Sequence, residues 1–270
     1  MRGPEGQTYS LLSADNPVFT LANYARAIEW IHLGIIWKSV WLAAVTTVAC
    51  LVMGFPLALG VAFAAPRWKN LLLLLVILPF WTNLLVRTYA WIAVLRTRGF
   101  LNMGLEWLHD RAADLLGLFG AGDLLGPFQP LELLYNQTAV IVGLVYVNLP
   151  FMVLPLYATL EKLDRSYLEA SLDLGAGQVR TFLSVLVPLS LPGIASGTLL
   201  VFILSVGAYL TPDLLGGTDS EMIGTLIGRQ FGASRDWPFG SALSFLLLYA
   251  TFVFLWLRAM LAGRSGQARL

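Results

Sequence analysis

Side chains able to do covalent or acid–base chemistry are scarce in this chain. It has one cysteine, Cys50, and two histidines, His32 and His109. Cys50 sits in an apolar run with no second cysteine to pair with, and Cys and His are too few for a metal cluster. No phosphate-cradling G-x-x-x-x-G-K-[ST] loop occurs, and no nucleophile–base constellation is evident. We therefore expect no catalytic residue, no metal and no cofactor bound by this chain. The most informative spacing of charged and small residues lies in Glu161–Pro192, EKLDRSYLEASLDLGAGQVRTFLSVLVPLSLP. Ser166 and Glu169 have the S-x-x-E spacing of a capping box, in which hydroxyl and carboxylate satisfy each other's backbone amides. A short helix is expected from there to about Leu174, ended by Gly175 in a left-handed turn. A second helix is expected over Gln178–Val187, broken by Pro188. Glu169 and Asp173, four apart, share one helix face and could meet a basic groove. Ala170, Ser171, Gly175 and Ala176 are small and permit close approach.

The elements that must position this loop are set by composition. The 270 residues are 57% hydrophobic and only 12% charged, and the mean hydropathy is +0.73. A water-soluble domain carries about twice that charge. The bilayer is the remaining solvent. Net charge is +1, so there is no nucleic-acid signature. A membrane-spanning helix needs about 20 mostly apolar residues. Five runs qualify: Ser39–Ala65, Asn70–Leu95, Thr138–Leu160, Gly193–Thr211 and Phe239–Leu261. Residues 1–38 hold no such run and no signal-peptide pattern, and Thr20–Ile28 reads as a short amphipathic helix. Two cations and a tryptophan in Pro66-Arg67-Trp68-Lys69 mark a cytoplasmic turn. Arg258, Arg264 and Arg269 place the C-terminus, with the tail 262–270, on the same side. The N-terminus and the 96–137 and 212–238 segments then lie outside, and 161–192 lies inside.

Three further features qualify this picture. Pro79-Phe80-Trp81-Thr82-Asn83 interrupts the second span with a kink, and Arg87 beyond it is expected to snorkel to the outer interface. Gly193 and Gly197 carry the G-x-x-x-G spacing of close helix packing. Thr218 and Glu221 form a second possible capping box, ahead of an apolar stripe of Met222, Ile223, Leu226, Ile227 and Phe231. That stripe reads as a short outer helix, lying on the membrane or acting as a gate. Asp236 before Trp237-Pro238 reads as the start of the last span.

The run Glu169-Ala170-Ser171, then Gly175, then Val185-Leu186-Val187-Pro188 closely resembles the EAA signature of bacterial ABC importer permeases. Ser replaces the second Ala, and Val replaces both the Ile and the Leu of the pattern. The resemblance implies an all-α membrane protein, a type I ABC importer transmembrane domain over 39–261 with about five spans. The family's usual first span is missing. It also implies that the 161–192 loop docks on a cytoplasmic ATPase subunit through Glu169, Ala170, Ser171, Asp173, Leu174, Gly175 and Ala176.

Further runs are similar to spermidine/putrescine permeases, and most to the first permease of that system. They are Pro79–Tyr89, Pro150–Tyr157 with Glu161–Asp164, Met222–Gly224, and Arg235–Ala242. The implied function is import of a polyamine by alternating access. The implied partners are a second homologous permease, two ATPase subunits that bind ATP and Mg, a periplasmic polyamine-binding protein and the lipid bilayer. The implied location is the bacterial inner membrane. A flexible polycation needs acids for its ammonium groups and aromatic faces for its stem. Trp81, Tyr89, Tyr146, Tyr209 and Asp213 are suitable types along the pathway. Importers of phosphonates, opines or ferric iron share much of the pattern. An ion-driven secondary transporter would need an acid inside a span, and none of the five runs holds one. A membrane-embedded enzyme would need clustered polar residues at one depth. Neither rival explains the loop.

Overall fold

The computed structural model describes residues 21–117 and 126–267, with only the backbone at 257–259 and 261–267. The expectations for residues 1–20, for the side chains of Arg258 and Arg264, and for Arg269 lie outside the described residues. Among the described residues every regular element is helical. They are α1 (Ala22–Ala27), α2 (Trp30–Ala62), α3 (Pro66–Ile77), α4 (Leu84–Leu95), α5 (Phe100–Gly117), α6 (Gln137–Leu160), α7 (Ser166–Asp173), α8 (Gln178–Thr181), α9 (Val187–Val206), α10 (Leu210–Leu215), α11 (Ile223–Phe231) and α12 (Trp237–Gln267). Four stretches are long and apolar enough to cross a membrane: Trp30–Ala62, Gln137–Leu160, Gln178–Val206 and Trp237–Trp256. A fifth is a pair of helical arms, Pro66–Trp81 and Leu84–Leu116, bent by 92° at the break between them. Four of the five expected spans are thus present as long apolar helices, and the second corresponds to the bent pair.

Four local expectations need correction. The first span begins at Trp30 rather than Ser39. The second is a sharp break rather than a kink: α3 runs into a 3₁₀ turn over Leu78–Trp81, and α4 leaves in a new direction. Arg87 on α4 is buried rather than snorkelling, and its Nε and Nη1 have no hydrogen-bond partner. The 92° bend turns α4 away from the line of α3, so Arg87 stays among packed residues. Pro188 does not end the loop helix. A π turn over Phe182–Leu186 widens the backbone ahead of it, and the helix continues through to Val206.

The described residues form two compact units, one within Trp37–Thr225 and one of 21–36 with 226–267. In the first, α2, α6 and α9 share a core of Cys50, Phe55, Ala58, Met152, Leu156 and Val201. The α6–α9 pair is held by small residues. A Cβ added at Gly193 would come within 2.6 Å of Thr159 Oγ1 and 2.9 Å of the Pro155 carbonyl oxygen. At Gly197 it would meet Met152 Sδ at 2.7 Å. The expected G-x-x-x-G packing is therefore real, and backbone-close. Nearby, Asn148 Nδ2 donates to Ser205 Oγ at 3.1 Å, a buried polar pair linking the two helices. In the second unit, Arg26 Nη1 meets Asp236 Oδ2 at 2.6 Å and lies over the Phe239 ring at 4.2 Å. Asp236 Oδ1 accepts from the Phe239 amide at 3.3 Å. Asp236 starts α12 as expected.

The two glycines should differ in tolerance. The backbone carbonyl facing Gly193 lies at 2.9 Å and cannot yield, whereas the nearest atom to Gly197 is the flexible Met152 thioether and the Met152 carbonyl stands farther off, at 3.2 Å. Gly193→Ala should cost about 1–3 kcal/mol, the scale of overpacking. Gly197→Ala should cost less. The melting temperatures of the two variants in detergent check the order.

Candidate functional site

The 161–192 loop is a helix–turn–helix built almost entirely from local bonds. Its first helix, α7, is not started by the expected capping box. The Ser166 amide donates to Asp164 Oδ1 at 2.9 Å, and the Ser166 hydroxyl bonds the same carboxylate. Those bonds hold the Asp164 carboxyl below the usual carboxylate range. Glu169 takes no cap role. Its amide donates to the Arg165 carbonyl at 3.1 Å, and the residue is solvent-exposed. The acid two residues before Ser166 outcompetes the acid three residues after it.

The end of α7 is as expected. Gly175 has φ +83°, in the left-handed region. Its amide donates to the Leu172 carbonyl at 2.9 Å, and the Ala176 amide donates to the Ser171 carbonyl at 3.1 Å. These two bonds are a Schellman motif. No atom lies within 4 Å of a Cβ built on Gly175. Within this chain glycine is required here by conformation, not by crowding. The Ser that departs from the E-A-A pattern has a job: Ser171 Oγ bonds Thr181 Oγ1 at 2.9 Å, linking α7 to α8. Glu169, Ala170, Asp173, Leu174 and Gly175 are exposed, while Ser171 and Ala176 are half-buried. Large apolar side chains also stand out: Leu174 is 88% exposed and Val179 73%. Both are left uncovered within this chain.

The loop lies at one end of the first unit, with the α2–α3 turn. Lys69 Nζ donates to Glu161 Oε1 at 3.3 Å. The Tyr157 hydroxyl bonds the same carboxylate and, with Lys69, holds Glu161 below the usual carboxylate range. A depressed acid is ionised at neutral pH, so this contact is complete there and is lost only as pH falls through the lowered value. Arg165 lies over the Phe63 ring at 5.1 Å. These partners were not singled out in the sequence, although Tyr157 and Glu161, four apart at a helix end, are a spacing that signals contact. At the opposite end, Lys38 Nζ and Gln137 Nε2 both donate to the Asp219 carbonyl, at 2.8 Å and 3.4 Å.

That opposite end also corrects the second capping box. Thr218 begins a 3₁₀ turn and does not cap α11. Thr225 Oγ1 accepts from the Met222 amide at 2.9 Å, and Ser39 Oγ accepts from the Ile223 amide at 2.7 Å. Met222 is fully buried against Leu42, Val140 and Leu144. The start of the apolar stripe is therefore packed in protein rather than lying on a membrane surface.

The pathway residues are placed on adjoining elements but not in one cluster. Trp81 is 75% exposed, at the end of the 3₁₀ turn in the broken span, and Tyr89 is exposed on α4. Tyr146 on α6 is half-buried, edge-on to Trp91 of α4 with ring centroids 5.5 Å apart. Tyr209 and Asp213 flank the start of α10, where the Asp213 amide donates to the Tyr209 carbonyl at 3.0 Å. Thr211 and Leu215 of α10 fill the space a Cβ on Gly143 of α6 would need, and α10 also packs on α4. No side chain of the five bonds or stacks on another of them. Tyr146 also lines a cavity of about 470 Å³ with Pro56, Gly60, Val76, Pro79 and Pro150. The cavity is apolar, so it is not itself a site for ammonium groups.

A family model described as the inner membrane component of binding-protein-dependent transport systems matches residues 51–266. The chain belongs to that family. It is 43% identical over 230 residues to the spermidine/putrescine transport system permease protein PotB of Escherichia coli strain K12, covering 85% of this chain and 78% of that protein. Identity to the PotB protein of Haemophilus influenzae is 40% over 242 residues, covering 89% and 79%. The fold is similar, at 14% identity and a TM-score of 0.66, to a chain in the crystal structure of a bacterial ABC transporter involved in import of the acidic polysaccharide alginate, covering 92% of this chain and 85% of that one. The expected all-α ABC importer permease fold therefore holds for this chain.

The left-handed turn at Gly175 yields a prediction about substitution. Gly175→Asn keeps access to positive φ, whereas Gly175→Val pays about 1–2 kcal/mol for it. Gly175→Val should lose a copurifying ATPase subunit, and Gly175→Asn should retain most of it. Quantified pull-down from native membranes reads the difference.

Proposed function

We propose that this chain is the first-type permease subunit of an ATP-driven polyamine importer of the bacterial inner membrane. The observation that carries the reading is the 161–192 loop. It is a short helix closed by a Schellman turn, with Leu174 and Val179 exposed beside Glu169 and Asp173. An exposed apolar tip with two acids on the helix beside it suits a cleft on a partner that carries basic groups. In this reading that partner is one of two cytoplasmic ATPase subunits, which bind ATP and Mg. A second, homologous permease completes the membrane domain, and a periplasmic binding protein delivers solute to the outer face. The C-terminus is cytoplasmic, on the side of the loop and of the α2–α3 turn. The chain does no bond chemistry itself. ATP-driven closure of the ATPase pair moves the loop, and the spans alternate between outward- and inward-facing arrangements.

A polyamine is favoured by the identity to PotB proteins, which runs over most of the chain. The aromatic and acidic groups at Trp81, Tyr89, Tyr146, Tyr209 and Asp213 are the residues offered to it. Asp213 is the acid among them, exposed at the first turn of α10.

The test is ATP hydrolysis by the complete importer in liposomes, with its binding protein, on adding spermidine or putrescine. Stimulation is expected with a polyamine and not with a phosphonate, an opine or ferric iron. The reverse pattern would keep the importer and replace the solute. Asp213→Asn should lower spermidine uptake by about two- to fivefold, the scale of an exposed ion pair. Unchanged uptake removes Asp213 from the pathway.

A further inference from the structure

The first arm of the broken span is weakly held. Neither α3 nor the 3₁₀ turn after it contributes a buried residue. Val76 touches the α2–α6–α9 core from outside, and Phe80 meets Phe151 of α6 edge-on at 5.4 Å. The arm's base is fixed differently, by Lys69 on the carboxylate of Glu161 at 3.3 Å. Glu161 is the first residue past α6 and the first of the loop. The same carboxylate takes the Tyr157 hydroxyl. Four residues on, Arg165 covers the ring of Phe63, at the exit of α2. The start of the loop therefore grips both the α2–α3 turn and the base of α3.

The surroundings leave that arm room to move. The apolar cavity of about 470 Å³ lies between α2, α3 and α6. At the far end, the arm stops at the 92° break, where side chains add to a single 3.3 Å backbone bond from the Thr82 amide to the Pro79 carbonyl. Thr82 Oγ1 donates to the Pro79 carbonyl at 2.7 Å, and Asn83 Oδ1 accepts from the Leu85 amide at 2.8 Å. Such a break can flex without breaking a helical ladder.

We propose that Lys69 and Glu161, steadied by Tyr157, are positioning residues that transmit movement of the 161–192 loop to the α3 arm of the broken span. This rests on the reading of the loop as the ATPase contact. When the loop shifts, Glu161 and Arg165 shift with it. The tie carries Lys69 and the base of α3 along, and the arm tilts about Thr82–Asn83 into the apolar cavity. The pair is partly exposed, with side-chain exposures of 23% and 43%, so it adds little to stability by itself. Its loss should appear as lost coupling, not as unfolding.

The test uses the complete importer in liposomes and reads radiolabelled spermidine uptake per ATP hydrolysed. Lys69→Met and Glu161→Gln should assemble and hydrolyse ATP at the wild-type rate. Uptake per ATP should fall by about fivefold or more, the low end of coupling between sites. The exchanged pair, Lys69→Glu with Glu161→Lys, should restore it. Unchanged uptake per ATP in either single variant overturns the proposal. So does a loss of assembly that the exchanged pair does not repair, since that is a purely structural role. Gly175→Val separates the underlying reading: if it keeps both the ATPase subunit and coupling, the loop is not the ATPase contact and the tie has nothing to transmit.

Discussion

Backbone that crosses hydrocarbon has no water to bond, so each amide and carbonyl must find a partner within the protein. Most of this structure answers that demand with unbroken helix. Serine and threonine inside the spans return their hydroxyls to the carbonyl four residues back, as Thr47 does to Ala43, Ser190 to Leu186 and Ser244 to Gly240. Among the described residues one candidate span breaks, at Thr82–Asn83 just past Pro79, and there Thr82 Oγ1 donates to the Pro79 carbonyl while Asn83 Oδ1 accepts from the Leu85 amide at the start of α4. Because the break is satisfied locally, it persists at little cost. Trp81 ends the 3₁₀ turn at the break, and Tyr89 lies on the arm that leaves it.

Outside the hydrocarbon the demand is lighter, and the loop is built on turns. Gly175 at φ +83° reverses the chain so that α8 can bond back to α7 through Ser171 and Thr181. A rigid turn with apolar residues exposed on it is a surface waiting for a partner. From α8 the helix runs on through a π turn into α9, so the loop is continuous with a candidate span. The exposed loop tip and the aromatic side chains of the proposed pathway thus lie on different elements: the former on α7 and its turn, the latter at the break, on α4 and α6 and at the start of α10.

Much of this was legible in the sequence wherever one residue type has one physical use. Long apolar runs can only be spans here. Gly175 announced its left-handed turn, Gly193 and Gly197 their close packing, and Asp236 the start of the last helix. Competition between equivalent partners was not legible. Asp164 and Glu169 can both satisfy the start of α7, and only the packed chain shows that Asp164 does. Ser39, far away in sequence, takes the Ile223 amide at the start of α11, where the Thr218–Glu221 spacing had pointed to a local cap. Pro188 reads as a helix stop, but a π turn absorbs it. The α5 helix escaped notice because Phe100–Gly117 mixes charge with apolar residues and matches neither a span nor a turn pattern. Among the candidate site residues, the loop set is close in sequence and lies on α7 and the turn after it. The five pathway residues share neighbouring elements, and their side chains do not form one cluster.

The central claim is that the tip of the 161–192 loop lies against an ATPase subunit. A photo-reactive amino acid at Leu174, 88% exposed on that tip, tests it within the intact complex. Leu131, which is also exposed and lies beside Asn102 in the segment after α5, is the control. Crosslinking to the ATPase subunit from position 174 and not from 131 is the result this account predicts. A complex that hydrolyses ATP yet gives no such crosslink at 174 contradicts it.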